Sequence, residues 1–232
     1  MNLLSVSSKN WILKKYNQED VVFFKDNFFL DEITSKLLSI RKIKKEDVKN
    51  FLYPSIKSFL PNPFILSDME KSAKRTLDAI KGDVKMGIFG DYDVDGASST
   101  ALLGNYFSSI GSKYEIYIPD RKTEGYGPSI GSFKYLIEKG VKLIFTVDCG
   151  TLSFDAIKYA NQKNVDVIVL DHHQSEINLP LAHSIVNPNR IDDKSELNYL
   201  CAAGVTFMFL VALNKELRMN NLFENRNIKE PN

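Results

Sequence analysis

The sequence predicts an α/β fold: a parallel sheet flanked by helices, preceded by a mainly helical N-terminal extension. Three observations carry this reading. From Lys85 onward, short apolar runs alternate with helical stretches. Those runs are short enough to be buried strands rather than helices. Three of them are followed at once by acids, at the ends where an open parallel sheet binds its ligands. The chain has 232 residues, enough for one large or two small domains with a sizeable core.

Residues 1–80 read as a helical and irregular extension. Asp31 to Leu38 is short and amphipathic, and Lys45 to Leu52 is a second candidate helix. Pro54, Pro61 and Pro63 break helices and mark Tyr53 to Leu66 as a connector. Asp68 is placed to cap a helix running through Ile80.

Residues 81–219 read as the sheet domain. Met86 to Phe89 is the first apolar strand, followed by a Gly/Asp-rich turn and a helix from about Ala97 to Ile110. Tyr114 to Ile118 is a second strand, ending at Pro119. Ser129 to Lys139 is helical and stops at Gly140, a favourable residue just past a helix end. Leu143 to Val147 and Val165 to Leu170 are further strands, with a helix from Ser153 to Lys163 between them. Ser184 to Val186 is a candidate fifth strand, and Cys201 to Leu217 a long apolar helix. Residues 220–232 read as a polar tail without a recognisable element and as a truncation point.

The hydrophobic share of 44% and charged share of 25% are those of an ordinary globular protein. No apolar run approaches the roughly 18–20 residues that span a bilayer. Met1 to Trp11 has no apolar core of signal-peptide type, so a cytoplasmic location is the default expectation. Cys149 and Cys201 are too few and too isolated for a disulfide framework or a zinc cluster. The net charge is +1, but basic residues gather in the first 85 positions. That half could attract a polyanion, and it reads equally as a solvated lysine-rich surface.

Asp91, Asp93 and Asp95 follow the first strand, Asp148 the third, and Asp171, His172 and His173 the fourth. A lone acid after a strand is more often a helix cap than a catalyst. Carboxylates aimed together at one crevice are different, because they repel one another unless a cation joins them. Oxygen ligands with an imidazole suit Mn²⁺ or Mg²⁺. Two such ions are a common device for phosphoester hydrolysis.

Ile88 to Gly96, Thr146 to Gly150 and Val169 to His173 resemble the three successive motifs of the DHH phosphoesterases in their RecJ form. Ile118 to Arg121, Glu124 to Gly127, Val186 to Pro188 and Leu200 to Val205 are similar to further RecJ segments, so the resemblance covers about residues 60–217. It implies a metal-dependent 5′-to-3′ exonuclease on single-stranded DNA, serving DNA repair and recombination, with two Mn²⁺ or Mg²⁺ ions. Asp93, Asp95, Asp148 and His172 would be metal ligands, with Asp95 and Asp148 as bridges. His173 would face the scissile phosphate and Asp91 would orient the loop. Arg121 and Asn187 would contact substrate, and Gly90 and Gly96 would allow a tight turn beside the ions. Cys149 is expected to pack, His183 to lie in a loop, and Asp192 and Asp193 to be solvated turn residues. Family members also carry a further aspartate ligand and a separate substrate-binding domain downstream, neither of which is found here. The expectation is an incomplete site, with little turnover by this chain alone and a downstream chain or domain completing it. Two alternatives stay open: a small-molecule or oligonucleotide phosphoesterase, and a catalytically silent remnant or binding scaffold. A receiver-like or nucleotide-binding domain is disfavoured, since no phosphate-binding glycine fingerprint follows the first strand.

Overall fold

The computed structural model describes residues 3–231 apart from 5 and 8. The chain divides into two compact units, 1–61 and 62–232. The first holds a short antiparallel pair, β1 (Leu3–Leu4) and β2 (Asn10–Trp11), and the helices α1 (Gln18–Phe28), α2 (Glu32–Ile40), α3 (Val48–Leu52) and α4 (Ile56–Phe59). Its small core is built from Phe24, Leu38 and Val48. α1 is not among the elements expected from the sequence. Its signal is Asn17, whose side chain accepts from the Glu19 amide at 2.8 Å, followed by Val21 and Phe24, which are buried.

The boundary at 61, rather than 80, has a packing cause. The helix expected at the end of the extension, α5 (Met69–Lys81), buries Met69, Ala73, Leu77 and Ile80 in the core of the second unit. Asp68 holds the cap position, but its side chain makes no capping bond. Its carboxylate accepts instead from the Ile185 amide at 3.0 Å and pairs with Arg190 at 2.8 Å. Asp193, expected in a solvated turn, accepts from the Ser67 amide at 2.9 Å.

The second unit continues with β3 (Met86–Gly90), α6 (Val94–Ser109), β4 (Tyr114–Tyr117), α7 (Ile130–Glu138), β5 (Leu143–Val147), α8 (Phe154–Gln162), β6 (Asp166–Leu170), β7 (Ser184–Val186), α9 (Ala202–Met219) and α10 (Leu222–Arg226). The five strands β3–β7 form one parallel sheet in the order β4-β3-β5-β6-β7. All residues of β3, β5 and β7 are buried. Alternate strand residues supply two cores. Ile88, Phe145 and Leu170 pack with α5, α6 and α9, whereas Phe89, Ile144 and Val169 pack with α7 and α8. Helices therefore cover both faces, as continuous apolar strands require. The polar tail expected from residue 220 contains α10, because Leu222 and Phe223 are drawn into the first of these cores. Among the described residues no helix is long and apolar enough to cross a membrane.

The strand order reverses between β3 and β5. β4 lies on one side of β3, and every later strand lies on the other. The crevice at the carboxyl ends of β3 and β5 is therefore the topological switch point, the place where open α/β sheets bind ligands.

Candidate metal centre

Asp91 and Asp93 leave the end of β3. The Asp93 carboxylate caps α6, accepting from the Gly96 amide at 2.9 Å. That bond leads the causes that hold its pKa below the usual carboxylate value. Gly90 and Gly96 serve close approach rather than an unusual turn. A Cβ on Gly96 would lie 2.6 Å from Asp91, and one on Gly90 would lie 2.0 Å from the Thr100 hydroxyl. α6 can begin beneath the strand end only because those positions lack side chains.

Asp148 leaves β5 with φ of 62°, in the left-handed region that costs an L residue roughly 1 kcal/mol or more. Its amide is tied to the Leu170 carbonyl at 3.0 Å. Its carboxylate lies beside those of Asp91 and Asp93, all three offering an oxygen within 4.8 Å of one another. The same residue forms a second such group with His172 and His173, and its Oδ1 is 3.3 Å from His172 Nε2. Asp148 is thus the member common to two three-residue groups.

Burial raises the pKa of Asp148 to about 8, with Asp93 and Asp95 pushing the same way. Burial also raises Asp91. The Oδ1 atoms of both are buried and have no hydrogen-bond partner among the described residues, the 3.3 Å approach of His172 lacking hydrogen-bond alignment. Orphaned buried carboxylate oxygens are costly, and a divalent cation is the group that would relieve both charge and unmet lone pairs. Carboxylate oxygens with one or two imidazole nitrogens fit Mn²⁺ or Mg²⁺.

Asp95 is placed differently. Its two oxygens accept from the Ala202 and Ala203 amides at 2.7 and 2.8 Å, so it caps α9 from another element. One of those oxygens is 3.6 Å from His172 Nε2, and Asp95 belongs to neither three-residue group.

Asp171 has no role in the site expected from the sequence, although its place after β6 is plain there. Its buried carboxylate accepts from the Thr151 hydroxyl at 2.6 Å, the His172 amide at 2.7 Å and His173 Nδ1 at 2.8 Å. Burial would raise its pKa, but the bonds from His173 and Thr151 prevail and hold it low. An ionised carboxylate only accepts, so His173 Nδ1 carries a proton and Nε2 is the atom left for other partners. The same bond raises the pKa of His173. Tyr126, likewise without an expected role of its own, donates to the Asp148 carbonyl at 3.1 Å and sets its ring edge-on against His173.

Asn187, expected at the substrate from the family resemblance, is fully buried. Its amide nitrogen donates to Thr151 Oγ1 and to the His173 carbonyl, both at 2.9 Å, and its oxygen accepts from the Asn189 amide. It braces the histidine loop from behind. Arg121 stands over the Tyr92 ring at 5.2 Å and is exposed. Cys149 packs in the core as expected. A larger cavity, about 720 Å³ between α6 and α9, is mostly apolar and contains none of these acids.

The family model for the DHH family, N-terminal domain, matches residues 85–229. The chain is 32% identical over 212 residues to the single-stranded-DNA-specific exonuclease RecJ of Bacillus subtilis (strain 168), covering 91% of this chain and 27% of that protein. It is 36% identical over 179 residues to the protein of the same name from Escherichia coli (strain K12), covering 77% and 31%. The chain therefore spans less than a third of these relatives. Among solved structures, it is similar to an exonuclease RecJ bound to manganese, with a TM-score of 0.60, 31% identity, and coverage of 66% of this chain and 38% of that one. It shares its fold with RecJ in complex with Mn²⁺ from Thermus thermophilus, with a TM-score of 0.70, 22% identity, and coverage of 94% and 29%. With its three acid-bearing strand ends gathered at one crevice, the chain belongs to the DHH family.

Proposed function

We propose that the chain is the N-terminal catalytic part of a RecJ-like, metal-dependent phosphodiester hydrolase acting on single-stranded DNA. The observation that carries this is the pair of three-residue groups sharing Asp148, with orphaned buried oxygens on Asp91 and Asp148. The relatives' names supply the substrate class, and their manganese-bound structures the kind of ion. A cytoplasmic setting and a part in DNA repair and recombination belong to the same proposal.

In this reading Asp91, Asp93 and Asp148 would hold one divalent ion, and Asp148 with His172 would hold a second, Asp148 being common to both groups and Asp95 belonging to neither. Such ions, when bound, offset phosphate charge and acidify a water. His173, fixed through Nδ1 by Asp171, presents Nε2 to a phosphate oxygen. Its raised pKa favours the protonated, donating form. Arg121 remains a candidate phosphate contact on an exposed loop. In the net reaction, a water oxygen bonds to phosphorus, the bond to the leaving sugar oxygen breaks, and that oxygen takes a proton.

The test is manganese-dependent release of nucleotides from labelled single-stranded DNA. It is run with the chain alone and together with the downstream segment that the RecJ relatives carry. Release with that segment, lost in Asp148→Ala and in His173→Ala, is expected. No release in either preparation, although Mn²⁺ binds, overturns the reading.

A further inference from the structure

His173 belongs to two neighbourhoods. One is the carboxylate crevice. The other is a cavity of about 590 Å³, within the roughly 300–1,000 Å³ typical of small-ligand pockets. None of Asp91, Asp93, Asp95 or Asp148 lines this cavity. Its walls include Tyr126, Leu152 and Phe154, which are 56%, 44% and 41% exposed. Grouped in the wall of one cavity beside His173, they form the kind of clustered apolar surface that marks a ligand-binding groove. Tyr126 is anchored there through its hydroxyl, which is bonded to the Asp148 carbonyl.

We propose that this cavity seats one unstacked nucleobase of the strand whose phosphate lies at His173. The inference rests on the hydrolase reading above and names the subsite next to its reacting group. Charge selects the base over a second phosphate. No lysine or arginine lines the cavity, while Asp155 and Asp171 do. An anion would meet two carboxylates there, whereas a neutral base meets aromatic and aliphatic faces. Ser153 and Gln174 at the wall offer hydrogen bonds to base edges. A base inside a duplex is stacked on both faces and paired, so it cannot enter without being extruded. The cavity therefore gives the crevice a physical reason to prefer single strands.

The experiment measures equilibrium binding of short oligonucleotides to the full chain in Mn²⁺. A uniform oligothymidylate is compared with one carrying an abasic residue, placed at each position in turn. One abasic position should weaken binding roughly tenfold, within the range that base–aromatic stacking contributes. Phe154→Ala and Leu152→Ala should each erase that difference and leave the Mn²⁺-induced rise in melting temperature intact. Phe154→Trp should retain it. Equal binding of all abasic oligonucleotides by the wild type overturns the proposal, as does an undiminished difference in both alanine variants. Failure of the metal reading shows separately, as a melting temperature indifferent to Mn²⁺.

Discussion

Asp148 and Asp171 end neighbouring strands, both carboxylates are buried, and they behave in opposite ways. Asp171 accepts from Thr151, His172 and His173 and stays ionised. Asp148 has an oxygen without a partner among the described residues, and its pKa is raised to about 8. The difference separates two uses of an acid. A carboxylate whose lone pairs are filled by the protein is scaffold, and one left unfilled is available to an external cation. Asp95 lies nearer the scaffold, because both its oxygens accept from the start of α9.

The largest effect should come from breaking the scaffold. Asp171→Ala strands the Thr151 hydroxyl and the protonated His173 nitrogen, and should cost about 3 kcal/mol of stability. Denaturant unfolding measures it, and a loss near zero would erase the contrast with Asp148. The next effect is metal binding. Mn²⁺ at a hundredfold excess over its dissociation constant should stabilise the wild type by about 2.7 kcal/mol. Asp148→Ala should remove that gain in a melting experiment, and its persistence would place the ion elsewhere.

Asp95→Ala sharpens the comparison, since it separates capping from ligation. Loss of the α9 cap should cost about 1 kcal/mol in metal-free protein. Retention of the full Mn²⁺ gain would make Asp95 a cap alone. A reduced gain would restore it as a ligand.

The pH dependence in chelator tests the same contrast without a metal. The folded-state pKa of Asp148 lies above its unfolded value of 3.8, so between that pH and about 8 the folded state holds the extra proton. Stability should therefore fall as pH rises through this window, and lie at its upper level below it. Asp148→Asn should flatten that slope of melting temperature against pH, whereas an unchanged slope would show that Asp148 is already ionised in the fold.

Much of the sheet domain was legible because its elements declare themselves locally. Leu143–Val147 and Ser184–Val186 fall where their apolar runs place them. Gly140 closes α7 with φ of 84°, as a residue past a helix end does. α10 and the attachment of α5 were not legible, because burial of Leu222, Phe223 and Met69 depends on surfaces distant in the chain.

The sequence alone determined that acids and two histidines follow the strand ends of a parallel sheet, since spacing and strand chemistry are local properties. Only the tertiary structure decided which acids are spoken for. Asp91, Asp95, Asp148, Asp171 and Asn187 all follow strand ends closely and look equivalent as letters. Hydrogen-bond partners up to 108 positions away separate cap, brace and scaffold from the carboxylates whose oxygens stay unfilled among the described residues. That allocation follows from packing distant segments together, and no local pattern encodes it.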